Sequence, residues 1–180
     1  MKSKLLLLSF LSLSVLIGCK DDKKEPVEKV VEVEKPSKTF DVIIDATIKK
    51  NDKIMVYYQD ETIPWFNDEH FVETGVVGMP DEQKVKISVP EEYIPHNIRI
   101  DISSVAGQEP IVLKKITLKY LDKSFVIESA YLKNYFTMND YIKYDANTNT
   151  MSFIKKEDGS YDPVMLTTEP LIAEIIKIIK

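Results

Sequence analysis

One stretch of the chain brings together side chains that could hold a small polar ligand. It contains Trp65, the only tryptophan of the chain, together with Tyr57, Asn67, Asp68 and His70. A flat aromatic face can stack on the C–H face of a sugar ring, while amides and carboxylates accept hydroxyl groups. The stretch is therefore a candidate ligand-binding site. The alternative interpretation is that Trp65 and Phe66 fill one end of the folded core.

A second candidate contact is Arg99, the only arginine of the chain, which lies two residues from Asp101. In a strand, this spacing places both side chains on one face, roughly 7 Å apart. A cross-strand ion pair would explain both residues. The other reading is a guanidinium that contacts an acidic ligand.

The sequence lacks the patterns expected of a catalytic or metal centre. Only His70 and His96 could act as imidazole bases, and no Gly-x-Ser-x-Gly motif or zinc-ligand spacing accompanies them. Asp158, Ser160, Asp162 and Glu169 fall at calcium-loop positions, but Pro163 stands where that loop requires glycine. We therefore expect a non-catalytic protein without cofactor or metal.

The single cysteine, Cys19, follows a basic start and an apolar run from Leu5 to Ile17, as in a secretory signal peptide. The run is shorter than the ~20 residues of a membrane-spanning helix. Cys19 has no second cysteine with which to form a disulfide. The segment Leu16-Ile17-Gly18-Cys19 resembles the lipobox of bacterial lipoproteins. The resemblance implies a signal peptide at residues 1–18, cleavage before Cys19 and membrane attachment through acyl chains on Cys19.

Residues 19–38 form a charged segment with few large apolar side chains, which predicts a disordered tether. Its start, Lys20-Asp21-Asp22, resembles the export signal of Bacteroidota-type surface lipoproteins. That resemblance implies an outer-membrane location, facing the cell exterior. The formal net charge of −5 argues against nucleic acid as a partner.

Alternating apolar and polar residues dominate the folded region, which we place at residues 39–156. The alternation occurs at residues 40–48, 54–58, 84–89, 98–103, 116–120, 125–127, 141–144 and 151–155. Such segments are typical of half-buried antiparallel strands. They predict an all-β protein, a two-layer antiparallel β-sandwich with jelly-roll topology favoured and immunoglobulin-like topology second.

Parts of this region are similar to carbohydrate-binding-module-type jelly rolls of Bacteroidota surface proteins. The similar segments are Ile98–Asp101, Ile111–Tyr120, Tyr135-Phe136, Asn139 and Ile142–Asp145. The resemblance covers roughly residues 40–154 and bears on fold more than on function.

The sequence of residues 157–180 predicts a loop followed by a short amphipathic helix. Thr168 and Pro170 fit its first turn, and Leu171, Ile172, Ile175, Ile176 and Ile179 form an apolar stripe. The stripe could dock on the sandwich or bind a partner. The sequence thus predicts a lipid-anchored surface module that binds glycan. The alternative is an accessory or assembly lipoprotein that binds a protein partner through this helix.

Overall fold

The computed structural model describes residues 38–180, and the predicted signal peptide, Cys19 and nearly all of the predicted tether lie outside them. The described chain contains a 3-10 turn (Ser129–Tyr131), helix α1 (Leu132–Tyr135) and helix α2 (Glu169–Ile179). Its strands are β1 (Phe40–Thr47), β2 (Asp52–Gln59), β3 (Phe71–Val76), β4 (Glu82–Val89), β5 (Asn97–Asp101), β6 (Ile111–Tyr120), β7 (Lys123–Glu128), β8 (Phe136–Met138), β9 (Ile142–Asp145), β10 (Thr150–Phe153) and β11 (Val164–Thr167).

The strands form two sheets that pack face to face. Sheet A has the order β4-β1-β6-β10-β9, with β7 paired to the remaining part of β6, and sheet B has the order β3-β2-β5-β11-β8. Every pairing is antiparallel. The predicted all-β, two-layer antiparallel sandwich with a short C-terminal helix is confirmed.

The path of strand β6 differs from the immunoglobulin arrangement. There, the strand after β5 would stay in the sheet of β5 and pair with it. Here β6 crosses to the other sheet and pairs with β1. Three pairs of consecutive strands, β2–β3, β6–β7 and β9–β10, are hairpins within one sheet. The preference for jelly-roll topology stays a prediction.

The period-two pattern explains the core. In β1, Phe40, Val42 and Ile44 are fully buried. On the opposite face, Asp41 and Asp45 pair with Lys86 at 2.9 Å and Lys84 at 3.2 Å from the neighbouring strand β4. Sheet A therefore has an apolar inner face and an outer face of ion pairs.

Strands β3, β8 and β11 and helix α1 were not anticipated from the sequence. β11 falls in the segment predicted as a loop, and it pairs with β5 on one side and β8 on the other. The sandwich therefore extends through Thr167 instead of ending at residue 156. Four residues are too few to show a period, and pairing with two neighbours is what makes β11 a strand.

Helix α2 docks on the sandwich. Leu171, Ile175 and Ile178 are buried in the common core, and the helix packs against β6, β7, β11 and α1. The Thr168 hydroxyl donates to the Asn134 carbonyl at 2.8 Å and makes no cap hydrogen bond. Neither helix of residues 38–180 has the length and apolarity to span a membrane.

Two long connections emerge at the same end of the sandwich. Phe40, at the start of β1, pairs with Val89 at the end of β4, and Gln59, at the end of β2, pairs with Asn97. Residues 60–70, here the Trp65 loop, and residues 90–96, the Tyr93 loop, therefore emerge at the end where the described chain begins. We call this the cleft end.

Candidate functional site

The first half of the Trp65 loop is fixed to the sandwich. Asp60 Oδ1 accepts hydrogen bonds from the Thr62 amide at 2.7 Å, the Thr62 hydroxyl at 2.7 Å and the Ile63 amide at 3.0 Å. The Ile63 side chain is only 4% exposed and belongs to the core. A polar turn and an apolar anchor thus hold the backbone directly before Trp65.

A chain of amide and hydroxyl groups extends this support into sheet B. Gln59 Nε2 donates to the Pro64 carbonyl at 3.0 Å, and Asn97 Nδ2 donates to Gln59 Oε1 at 2.6 Å. The Thr167 hydroxyl in turn donates to Asn97 Oδ1. The residue before Trp65 is therefore linked through β2 and β5 to β11.

Asn67 shapes the second half of the loop. Its Oδ1 accepts from the Glu69 amide at 2.9 Å and lies 2.8 Å from His70 Nδ1, while its Nδ2 donates to the Trp65 carbonyl at 3.3 Å. The carboxamide that the sequence offered for ligand contact is thus committed to the loop. It positions Trp65 from the other side.

Trp65 projects from this framework into solvent. It is 67% exposed, so the interpretation that it fills the end of the core is wrong. It borders a cleft of about 500 Å³ whose lining is Thr62, Ile63, Pro64, Trp65, Asn67, Asp68, Glu69 and His70. Four of the five residues that the sequence placed together, Trp65, Asn67, Asp68 and His70, line the cleft, and Tyr57 does not.

Ring contacts connect the Trp65 loop to the Tyr93 loop. The His70 ring lies edge-on to Tyr58 at 6.1 Å and to Tyr93 at 5.8 Å between centroids, and Tyr58 and Tyr93 are 5.1 Å apart. The His96 amide donates to the Gln59 carbonyl at 2.9 Å. The two loops therefore form one continuous rim.

The other predicted residues form a separate group on the outer face of sheet B. Arg99 Nε and Nη2 donate to Asp101 Oδ1 and Oδ2 at 2.7 and 2.8 Å. The guanidinium lies 4.6 Å from the centre of the Tyr57 ring, which stacks on Phe71 at 5.1 Å. Asp162 approaches Arg99 at 3.7 Å. The expected cross-strand pair is instead formed along one strand.

Burial and charge shift the pKa values of this group. Burial raises the pKa of Asp101 above 3.8, because its desolvation outweighs the hydrogen bonds and charge of Arg99. Burial also opposes the charge of Arg99, but Asp101 prevails there and raises the pKa of Arg99. The directions agree with the geometry, since the Asp101 side chain is 5% exposed and that of Arg99 is 26% exposed.

None of Tyr57, Arg99 and Asp101 lines the cleft. Burial raises the pKa of Tyr57, with smaller contributions from the charges of Asp101 and Asp68. Because Asp101 and Tyr57 occupy the guanidinium, Arg99 is a structural cation in this arrangement.

A second cavity, which we call the helix cavity, lies beside the cleft and was not anticipated from the sequence. Its volume is about 560 Å³, and its lining is Asp60, Glu61, Thr62, Glu92, Ile94, His96, Ile176, Ile179 and Lys180. Thr62 borders both cavities. The Ile176–Ile179 spacing was visible in the sequence, but its position against the Tyr93 loop depends on the fold.

Within residues 38–180, no group of histidine and acidic side chains is arranged to hold a metal ion. Asp158 instead uses Oδ1 to accept from the Ser160 amide at 2.9 Å and the Ser160 hydroxyl at 2.6 Å. No protein-family model matches this chain, and no curated protein or solved structure matches it.

Proposed function

We propose that this protein is a non-catalytic binding module for glycans, and that the cleft beside Trp65 is its binding site. The observation that carries the proposal is an exposed tryptophan held on both sides by hydrogen bonds, at the edge of a cleft. Single exposed apolar residues are common on proteins. An exposed indole on a fixed loop, however, provides a flat surface whose position does not have to be ordered on binding.

The lining of the cleft complements that surface. A ring stacked on Trp65 would place its hydroxyl groups near Asp68 and Glu69, both exposed. Carboxylates accept hydroxyl hydrogen bonds, and such charge-assisted bonds are stronger than neutral ones. The volume of about 500 Å³ is within the range of small-ligand pockets.

Replacing the indole tests the site. Affinity gel electrophoresis against a panel of soluble polysaccharides should retard the wild-type protein in at least one gel. We expect Trp65→Ala to abolish this retardation while the midpoint of urea unfolding stays within about 0.5 kcal/mol, because the side chain is 67% exposed.

The matched control is Tyr131→Ala, which removes another exposed aromatic side chain, 59% exposed and outside the cleft. It should leave retardation unchanged. A protein retained by none of the polysaccharides, or retained equally well without Trp65, would contradict the proposal.

We also propose that the module is a lipoprotein of the outer membrane, attached through Cys19 and exposed at the cell surface. The support is the lipobox-like Leu16–Cys19 and the following Lys20-Asp21-Asp22. Mass spectrometry of the native protein should find acyl chains on Cys19 as the first residue. Cys19→Ser should move the protein from the detergent phase to the aqueous phase, and a wild-type chain with an intact leader would contradict the proposal.

The alternative function is an accessory or assembly lipoprotein that binds a partner through helix α2. Two residues of the predicted stripe, Leu171 and Ile175, are buried in the core together with Ile178, which supports docking of the helix on the sandwich. Ile172 and Ile176 remain half-buried. If helix α2 is purely structural, the substitutions Ile172→Ser and Ile176→Ser should not change which proteins are recovered in a pull-down with this chain.

A further inference from the structure

The two loops at the cleft end carry charge of one sign. The Trp65 loop contains Asp60, Glu61, Asp68 and Glu69, and the Tyr93 loop contains Glu91 and Glu92, whereas neither loop contains lysine or arginine. Their imidazoles are His70, whose Nδ1 lies 2.8 Å from Asn67 Oδ1, and His96, which lines the helix cavity. The rim around Trp65 is therefore electronegative.

The nearby cations do not offset this charge. Arg99 is engaged by both oxygens of Asp101 and by the Tyr57 ring, and it lies outside the cleft lining. Lys180 lines the helix cavity and not the cleft. An acidic sugar stacked on Trp65 would consequently meet carboxylates with no free cation among the residues that line the cleft.

Two of the carboxylates are free to act on a ligand. Within the part of the chain that the structure describes, the Asp68 and Glu69 side chains form no hydrogen bond or ion pair, and both residues are exposed. Asp60 differs, because its Oδ1 is used by Thr62 and Ile63. Asp68 and Glu69 thus place two uncommitted negative charges beside a fixed aromatic surface.

We propose that the cleft selects glycans that carry free amino groups and excludes acidic glycans. This inference rests on the proposed glycan-binding function and adds the chemical class of the sugar. The indole stacks on the ring of the sugar, and Asp68 and Glu69 pair with its ammonium groups. Charge-assisted hydrogen bonds favour this ligand over its N-acetylated form, and like-charge repulsion opposes uronates.

Four tetrasaccharides of β-1,4-linked units test the inference by isothermal titration of the full chain: glucosamine, N-acetylglucosamine, glucose and mannuronate. We expect the glucosamine tetramer to bind about five-fold or more tightly than the N-acetylated and glucose tetramers, the magnitude of two partly exposed ion pairs. The mannuronate tetramer should not bind. Raising the ionic strength from 0.05 to 0.5 M should shrink the preference, because salt screens exposed charges.

Two double variants distinguish the effect of carboxylates in the cleft from the effect of the net charge of the protein. Asp68→Asn with Glu69→Gln should reduce the preference for the amine to less than about two-fold while keeping the affinity for the glucose tetramer. Asp140→Asn with Glu157→Gln makes the same change in charge at exposed positions outside the cleft, and should keep the preference. Trp65→Ala should abolish binding of every tetramer.

The outcomes distinguish this inference from the proposed function. Equal affinity for the glucose and glucosamine tetramers, or tight binding of mannuronate, would overturn the inference. If that binding still required Trp65, the proposed glycan-binding function would stand. An amine preference that fell equally in both double variants would show attraction to the whole protein and would overturn the proposed contact. Binding of no tetramer and retention by no polysaccharide would refute the function itself.

Discussion

At the scale of single residues, Arg99 illustrates how the fold decides the role of a side chain. Its fork holds both oxygens of Asp101 and its flat face covers Tyr57, which lysine cannot reproduce. We expect Arg99→Lys to lower the free energy of unfolding by about 1–3 kcal/mol, measured by urea denaturation. Lys53→Ala, which breaks an exposed 3.0 Å pair with Glu73, should cost less than about 0.5 kcal/mol. Equal effects would contradict this account.

Asp60 predicts part of the acid sensitivity of the Trp65 loop. Burial would raise its pKa, but hydrogen bonds from Thr62 and Ile63 bring the pKa below 3.8. A carboxyl group whose pKa is lowered on folding stabilises the protein above its unfolded pKa, and this contribution is lost as the pH falls through the folded pKa. Asp60→Asn keeps an acceptor for the turn but cannot titrate. Its unfolding midpoint should therefore depend less on pH than that of the wild type below about pH 4. An unchanged pH dependence would refute this role.

The residue types of the candidate site could be predicted from the sequence. Which of them support the loop and which face the cleft could not. A lone tryptophan among amides and acids has the composition of a sugar site, and the stretch does line one cleft. Trp65 is 67% exposed, whereas Ile63, two residues earlier, is buried in the core. That choice is made by packing between distant strands, which local spacing does not reveal.

At the scale of elements, long alternating segments were predictable and short ones were not. β1 and β6, with eight and ten residues, show enough of the period to identify both face and type. β8 and β11 have three and four residues, and β3 contains Gly75. Their pairing partners are distant in sequence, so cross-strand hydrogen bonds and not local propensity decide them.

Helix α2 should stabilise the sandwich through its buried row. Ile175→Ala removes a fully buried side chain and should lower the free energy of unfolding by about 2–4 kcal/mol. Ile172→Ala, on the half-buried side of the same helix, is the matched control and should cost clearly less. Urea denaturation measures both, and equal losses would indicate that the helix is packed differently.

At the scale of the whole molecule, β11 makes the C-terminal region indispensable. It lies between β5 and β8, so a chain ending at residue 156 would leave β8 without a neighbour and β5 paired only with β2. We expect that chain to show no cooperative unfolding transition by circular dichroism. A chain ending at Thr168 keeps β11 and loses α2, and should unfold cooperatively at a lower urea concentration than the full chain. A folded chain without β11 would contradict the strand order.

The position of Lys38 has a consequence for any group joined to the chain there. β1 begins next to Val89, so the polypeptide enters the sandwich at the end that carries the Tyr93 loop and Trp65. A bulky group attached at Lys38 would therefore lie at the same end as the indole and would narrow the space open to a large polysaccharide.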